Sequence, residues 1–265
     1  MTARVARVLL AICAGLAGAS GPAAATAAGL RDATDGWLMP ASDLHRLLGG
    51  RDRPGPWCEL AHGRLHGLAE LPLTSAAAGF RLGGARVRLE ARHSGATILR
   101  ETGCAVTVAG GPPWSPRLRL GRAAFEVAGG WSASQLEAAV GLTVPLAGAV
   151  ACDVDVPLLP APVWYGHGGL RRLLRLRAGW PLAAVAVAVD RRGDGVPQVQ
   201  LEVALAPVGA ATLGLRAEPA SGSLGVTTGW RVGPRLMLRT SHVLHPALGV
   251  THRWGLVAGV PELPS

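Results

Sequence analysis

The stretch "SLGVTTGWRVGPRLMLRTSH", residues 223–242, decides the fold class. Leu224, Val226, Trp230 and Val232 share one parity; Ser223, Gly225, Thr227, Gly229 and Arg231 share the other. After the "VGP" break at 232–234 the alternation resumes, with Leu236 and Leu238 opposed to Arg235 and Arg239. A period of two is what a strand requires, because successive side chains leave opposite faces. Gly and Pro between two such runs mark a turn. The stretch therefore predicts a β-hairpin with one apolar and one polar face.

The same rhythm extends outward in both directions. Val250, Trp254 and Leu256 oppose Thr251, Arg253 and Gly255. Val199, Leu201, Val203 and Leu205 oppose Gln200 and Glu202. Earlier, Val87 and Leu89 oppose Arg86, Arg88, Glu90 and Arg92; Leu136 and Val140 oppose Glu137; Val154 and Val156 oppose Asp153 and Asp155; Leu174 and Leu176 oppose Arg175 and Arg177. Arg216 joins the polar set. Turn signals such as "RGDG" (192–195), "PVG" (207–209) and "PASG" (219–222) punctuate these runs. The expected architecture is all-β, with about 12 strands (10–14) joined mainly by short turns.

The N-terminus reads as an export signal over residues 1–27. Arg4 and Arg7 precede a short apolar run, and "AAATAA" offers a small-residue cleavage site. Residues 28–60 read as irregular, with room for one short helix over 42–50. Residues 61–260 read as the β-domain and 261–265 as a tail. After the signal no apolar run reaches the roughly 18 residues of a spanning helix, so a membrane form must span with strands.

Composition removes several classes. The chain has no Lys and no Asn, all 26 basic residues are Arg, Gly numbers 37, and the net charge is +9. That pattern matches GC-rich coding, so basicity alone does not imply nucleic acid. The Arg are also spread over strands rather than clustered with stacking aromatics, and no nucleic-acid partner is expected. Beyond the signal, Cys58, Cys104 and Cys152 have neither zinc-knuckle nor disulfide-scaffold spacing. No Walker loop, H-E-x-x-H or G-x-S-x-G motif occurs. "YGHGG" (165–169) lacks the partners of an oxyanion loop. His242, His245 and His252 are too scattered, on parity, to ligate a metal together. No enzyme activity and no cofactor are expected.

Alternation does not say which face is inside. A soluble sandwich buries the apolar face, whereas a membrane barrel turns it to lipid and lines its lumen with the polar one. The run lengths, meander order and export signal favour an up-and-down antiparallel transmembrane β-barrel in the outer membrane, in contact with its lipid. The expected lumen-facing charges are then Arg86, Arg88, Glu90, Arg92, Glu137, Asp153, Asp155, Arg175, Arg177, Glu202, Arg216, Arg231, Arg235, Arg239 and Arg253. A permeable lumen of this kind favours anions. The reading preferred from the sequence is a filled one, with Arg and acids paired as a structural plug.

The segment 241–256, "SHVLHPALGVTHRWGL", resembles the C-terminal hairpin of type IX secretion-associated outer-membrane proteins of the PorP/SprF and PorV-like kinds. His245, Pro246, Leu248, Gly249, Thr251 and His252 carry the resemblance. It implies a non-enzymatic barrel that docks or assembles surface or secretion machinery, with proteins of that machinery as partners. Its more distant relatives, FadL-like barrels, imply a second expectation, a channel or transporter for small anionic or hydrophobic molecules. A soluble periplasmic β-sandwich with a binding role is the third.

Overall fold

The computed structural model describes residues 56–64, 72–95, 99–111, 114–147, 150–159, 171–179, 183–192, 198–208, 211–219, 222–247 and 249–259. The expected signal, the helix over 42–50 and the tail 261–265 lie outside them.

Among the described residues fourteen strands are present. They are β1 (Trp57–Arg64), β2 (Pro72–Leu82), β3 (Ala85–Gly95), β4 (Leu99–Ala109), β5 (Ser115–Val127), β6 (Trp131–Ala147) and β7 (Val150–Pro157). There follow β8 (Arg171–Gly179), β9 (Ala183–Arg192), β10 (Gln198–Val208), β11 (Ala211–Glu218), β12 (Ser223–Gly233), β13 (Leu236–His245) and β14 (Gly249–Ala258). Each pairs antiparallel with its sequence neighbours, and β14 closes onto β1 from Cys58 opposite Ala258 to Arg64 opposite His252. The result is a closed up-and-down barrel. The count stands at the top of the expected range, and β1 begins at Trp57, inside the segment expected to be irregular. "WCELAHGR" is short, and one Glu, one His and two small residues mask its alternation.

The ladder shows which face is concave. Arg117 on β5 reaches Asp153 and Asp155 on β7, passing over β6. Arg119 on β5 reaches Glu90 on β3, and Arg239 on β13 reaches Glu59 on β1. Side chains can meet across an intervening strand only where the sheet curves toward them. The charged parity is therefore inside. The other parity is convex and mostly apolar: Leu60, Leu120, Leu136, Leu224, Trp230, Leu238 and Leu256 are all exposed. Burial is thus inverted relative to a globular protein, as lipid solvation demands.

The two ends differ. At the end that holds the start of β1 and the close of β14, β2–β3, β6–β7, β10–β11 and β12–β13 are joined through 83–84, 148–149, 209–210 and 234–235. The opposite end carries the longer connections 65–71 and 158–170. Gly83 has φ 59° at the first position of the Leu82–Ala85 turn, the geometry a tight hairpin of primed type needs. Three register shifts, at Pro145/Ala147, Leu205/Val208 and Arg231/Gly233, all fall at this short-turn end. Bulges there increase the twist and let the rim curve.

Refolded in detergent, the chain is expected to run faster on SDS gels unboiled than boiled, since a closed hydrogen-bonded barrel resists SDS until heated. Leu120, on the convex face at the middle of β5, gives a sharper test. Leu120→Arg should destabilise the protein in lipid vesicles by about 2–4 kcal/mol, the cost of a cation at the bilayer midplane. An unchanged urea midpoint would place that face in water.

Candidate functional site: the concave face

A closed sheet of fourteen strands spaced about 4.8 Å apart, tilted as barrels require, has a backbone diameter of roughly 28 Å. Inward side chains project into that width. What lines it follows from parity and ladder register.

On the wall from β3 to β7 the charges interlock. Arg92 donates to Glu101 at 3.2 Å. Arg88 and Arg119 both contact Glu90. Arg117 is the centre of a clamp: Nη2 donates to Asp155 Oδ1 at 2.9 Å, and Nη1 lies 3.3 Å from Asp153 Oδ1. The same Nη1 donates to Thr143 Oγ1 at 2.6 Å, and Thr143 donates onward to Asp153 at 2.6 Å. Arg86 donates to Ser115 Oγ at 3.2 Å and to the Gly110 carbonyl at 3.3 Å.

These long side chains lie flat because the residues beneath them are small. A Cβ on Gly141 would strike the Asp155 carboxylate and stand 2.9 Å from Arg117 Nε; one on Gly103 would stand 2.9 Å from Arg92 Nε. Ala105 and Ala123 fill further positions of the same floor, both buried. Glycine in a strand costs stability, and close approach of another group is the usual return for it.

Across the closure seam the set is sparser. Arg239 stands 3.5 Å from Glu59, and Arg253 donates to Ser75 on β2. Glu59 and Arg253 are only 2% and 3% exposed. By contrast the side chains of Arg88, Arg119 and Asp155 keep 25%, 32% and 36% of their surface open on the concave side. The wall is packed at its base and solvated at the tips of its charges.

Most residues picked out by alternation fall in strands on this parity: Arg86, Arg88, Glu90, Arg92, Glu137, Asp153, Asp155, Arg216, Arg231, Arg239 and Arg253. Arg175 is laddered opposite Asp153, Arg177 opposite Ala151 and Glu202 opposite Arg216. Arg235 is a correction. It occupies the exposed Pro234–Arg235 turn, because the shift at Gly233 ends β12 before it and β13 starts only at Leu236. Alternation overlooked Glu59, Glu101, Arg117 and Arg119. "RLRLGR" (117–122) carries a plain period-two signal for the last pair; Glu59 and Glu101 sit in runs diluted by Gly, Ala and Thr.

The hairpin motif spreads over both faces. Pro246 is in the turn, Gly249 has φ 89°, Thr251 is inward and buried, and His252 is outward. Leu248 lies outside the described residues. His245 Nδ1 accepts from the Ala247 amide at 3.3 Å, capping the turn. His242 and His252 face each other with Nδ1 atoms 2.9 Å apart. Parity separated His242 from His245 correctly, yet it could not show that the turn brings His252 back opposite His242. Among the described residues no group of three or more His, Cys, Asp or Glu is placed to hold a metal.

No family model matches the chain, and no curated protein matches it. Solved structures do. The Acinetobacter baumannii outer membrane protein Omp33 is similar at TM-score 0.53 and 7% identity, over 77% of this chain and 97% of that one. A KdgM porin (TM-score 0.43, 5% identity, 76% and 98% covered) and a Rh. blastica porin variant (0.41, 8%, 77% and 98%) are more remote. The shared feature is the fold: this chain is a transmembrane β-barrel of the outer-membrane kind.

The clamp yields a test. Arg117→Gln should cost about 2 kcal/mol, since it removes hydrogen bonds to two carboxylates and leaves like charges adjacent. Adding Asp155→Asn to that variant should recover part of the loss, because the two residues act as one unit. Strictly additive urea midpoints would show that the clamp is not a unit. Gly141→Val should reproduce the Arg117→Gln phenotype without altering any charge.

Proposed function

We propose that this chain is a non-enzymatic outer-membrane channel that passes small anionic solutes. The carrying observation is the concave face. Ten described inward side chains there are Arg, against six acids (Glu59, Glu90, Glu101, Glu137, Asp153 and Asp155), and three of the charged side chains stay partly open on the concave side. Fixed positive charge along a narrow aqueous path lowers the barrier for anions and raises it for cations. The solvated tips also favour an open path over the filled interior preferred from the sequence.

An outer-membrane location is supported by the convex apolar face and by the likeness to Omp33, itself an outer membrane protein. The docking role implied by the C-terminal hairpin has less behind it. The motif residues serve the turn and the two faces of the hairpin, and porins appear among the similar structures.

In planar bilayers under a KCl gradient, the refolded chain should show unitary conductance and a reversal potential of anion-selective sign. Arg88→Gln with Arg119→Gln should lower the anion-to-cation permeability ratio about two-fold, by weakening the fixed field in the lumen. Absence of conductance steps, or cation selectivity in the parent, would overturn the proposal.

A further inference from the structure

The convex face carries Arg100, Arg122 and Glu126 on β4 and β5, and a second polar sector elsewhere. Near the long-loop end of β13, β14, β1, β2 and β3 it carries His242, His252, Arg64, His62 and His93. Each lies within three residues of its strand end, so all five stand within about 10 Å of that rim. They are neighbours in the ladder. His242 is opposite His252, His252 is opposite Arg64, and His62 meets Thr74 Oγ1 at 3.0 Å, with Thr74 opposite His93. Below them the surface returns to exposed Leu60, Trp254, Leu256 and Leu238.

No described outward side chain of these five strands, or of β12 beside them, is acidic. The outward residues of β12 here are Leu224, Val226 and Thr228, and β2 supplies Thr74. The nearest carboxylate on the described convex face is Glu126, already paired with Arg100 at 3.5 Å. Among the described residues the sector is thus a set of Arg and His side chains with no acid beside them, at the depth where an apolar belt meets polar headgroups.

We propose that these side chains form a collar that holds phosphate-bearing lipid headgroups of the leaflet on the long-loop side. The His242–His252 contact sets its chemistry. With both rings neutral, one Nδ1 donates and the other accepts across 2.9 Å. A further proton leaves two donors facing each other, and a phosphate oxygen is the acceptor that satisfies both. Arg64 is charged and anchors the collar. The lumen takes no part in this, so the collar stands or falls independently of the channel.

The test is equilibrium urea unfolding of the full chain in phosphatidylcholine vesicles, with and without phosphatidic acid. The folded-to-unfolded ratio should rise with phosphatidic acid, by about five-fold for each cationic group that engages a headgroup. His242→Gln with His252→Gln should remove the largest share of the increment, since that pair offers two convergent ring nitrogens, while folding normally in neutral lipid. His62→Gln with His93→Gln, two exchanges elsewhere in the collar, should remove a smaller share. An equal increment in the parent and both variants would overturn the proposal. So would stabilisation of the parent by zinc in neutral lipid that His242→Gln abolishes, with no effect of phosphatidic acid; the pair would then be a metal chelate.

Discussion

Every backbone amide and carbonyl in a hydrocarbon environment must find its partner within the protein. That single requirement organises the molecule. Fourteen strands satisfy one another only if the first meets the last, and the β1–β14 ladder from Cys58–Ala258 to Arg64–His252 supplies that closure. Once the sheet is closed, it has an inside and an outside that cannot be exchanged. A slip of one residue in any ladder would carry arginines into lipid. Register is therefore held by the solvent on each side as much as by the turns.

Closure also explains the glycines and alanines of the concave face. A curved sheet brings inward side chains of alternate strands toward one another, so Arg117 can reach past β6 to Asp153 and Asp155. The strand it crosses must then offer little bulk, and Gly141 does. Arg92 over Gly103 repeats the device on β4. The charges at the base of the wall stiffen the barrel, while those with solvated tips set the field along the axis. One set of residues thereby contributes to both stability and the proposed selectivity.

The two rims are chemically unlike. Phe80, Leu82, Trp114 and Trp230 lie toward the short-turn end of the convex surface, where aromatic and aliphatic side chains meet the interface. Toward the long-loop end the imidazoles and Arg64 take that place. The proposed basic collar is a different solution to the same interfacial problem.

The class of fold was legible in the chain because a strand with one face in lipid and the other in a charged lumen must alternate, and residues 199–205, 223–232 and 250–257 do so with little interruption. Alternation placed most of the lumen charges for the same reason. It failed at Arg235, where a shift at Gly233 ends the period, and at Glu59 and Glu101, where small residues dilute it. Parity alone is symmetric, so which face curves inward was settled only by closure of the sheet. So were the partners. Arg117 is separated from Asp155 in sequence by a whole strand and two turns, and His242 from His252 by a hairpin, and nothing local relates them. Sequence determines the period of each strand; the tertiary structure decides which strands meet, because pairing is a property of the closed sheet and not of any one segment.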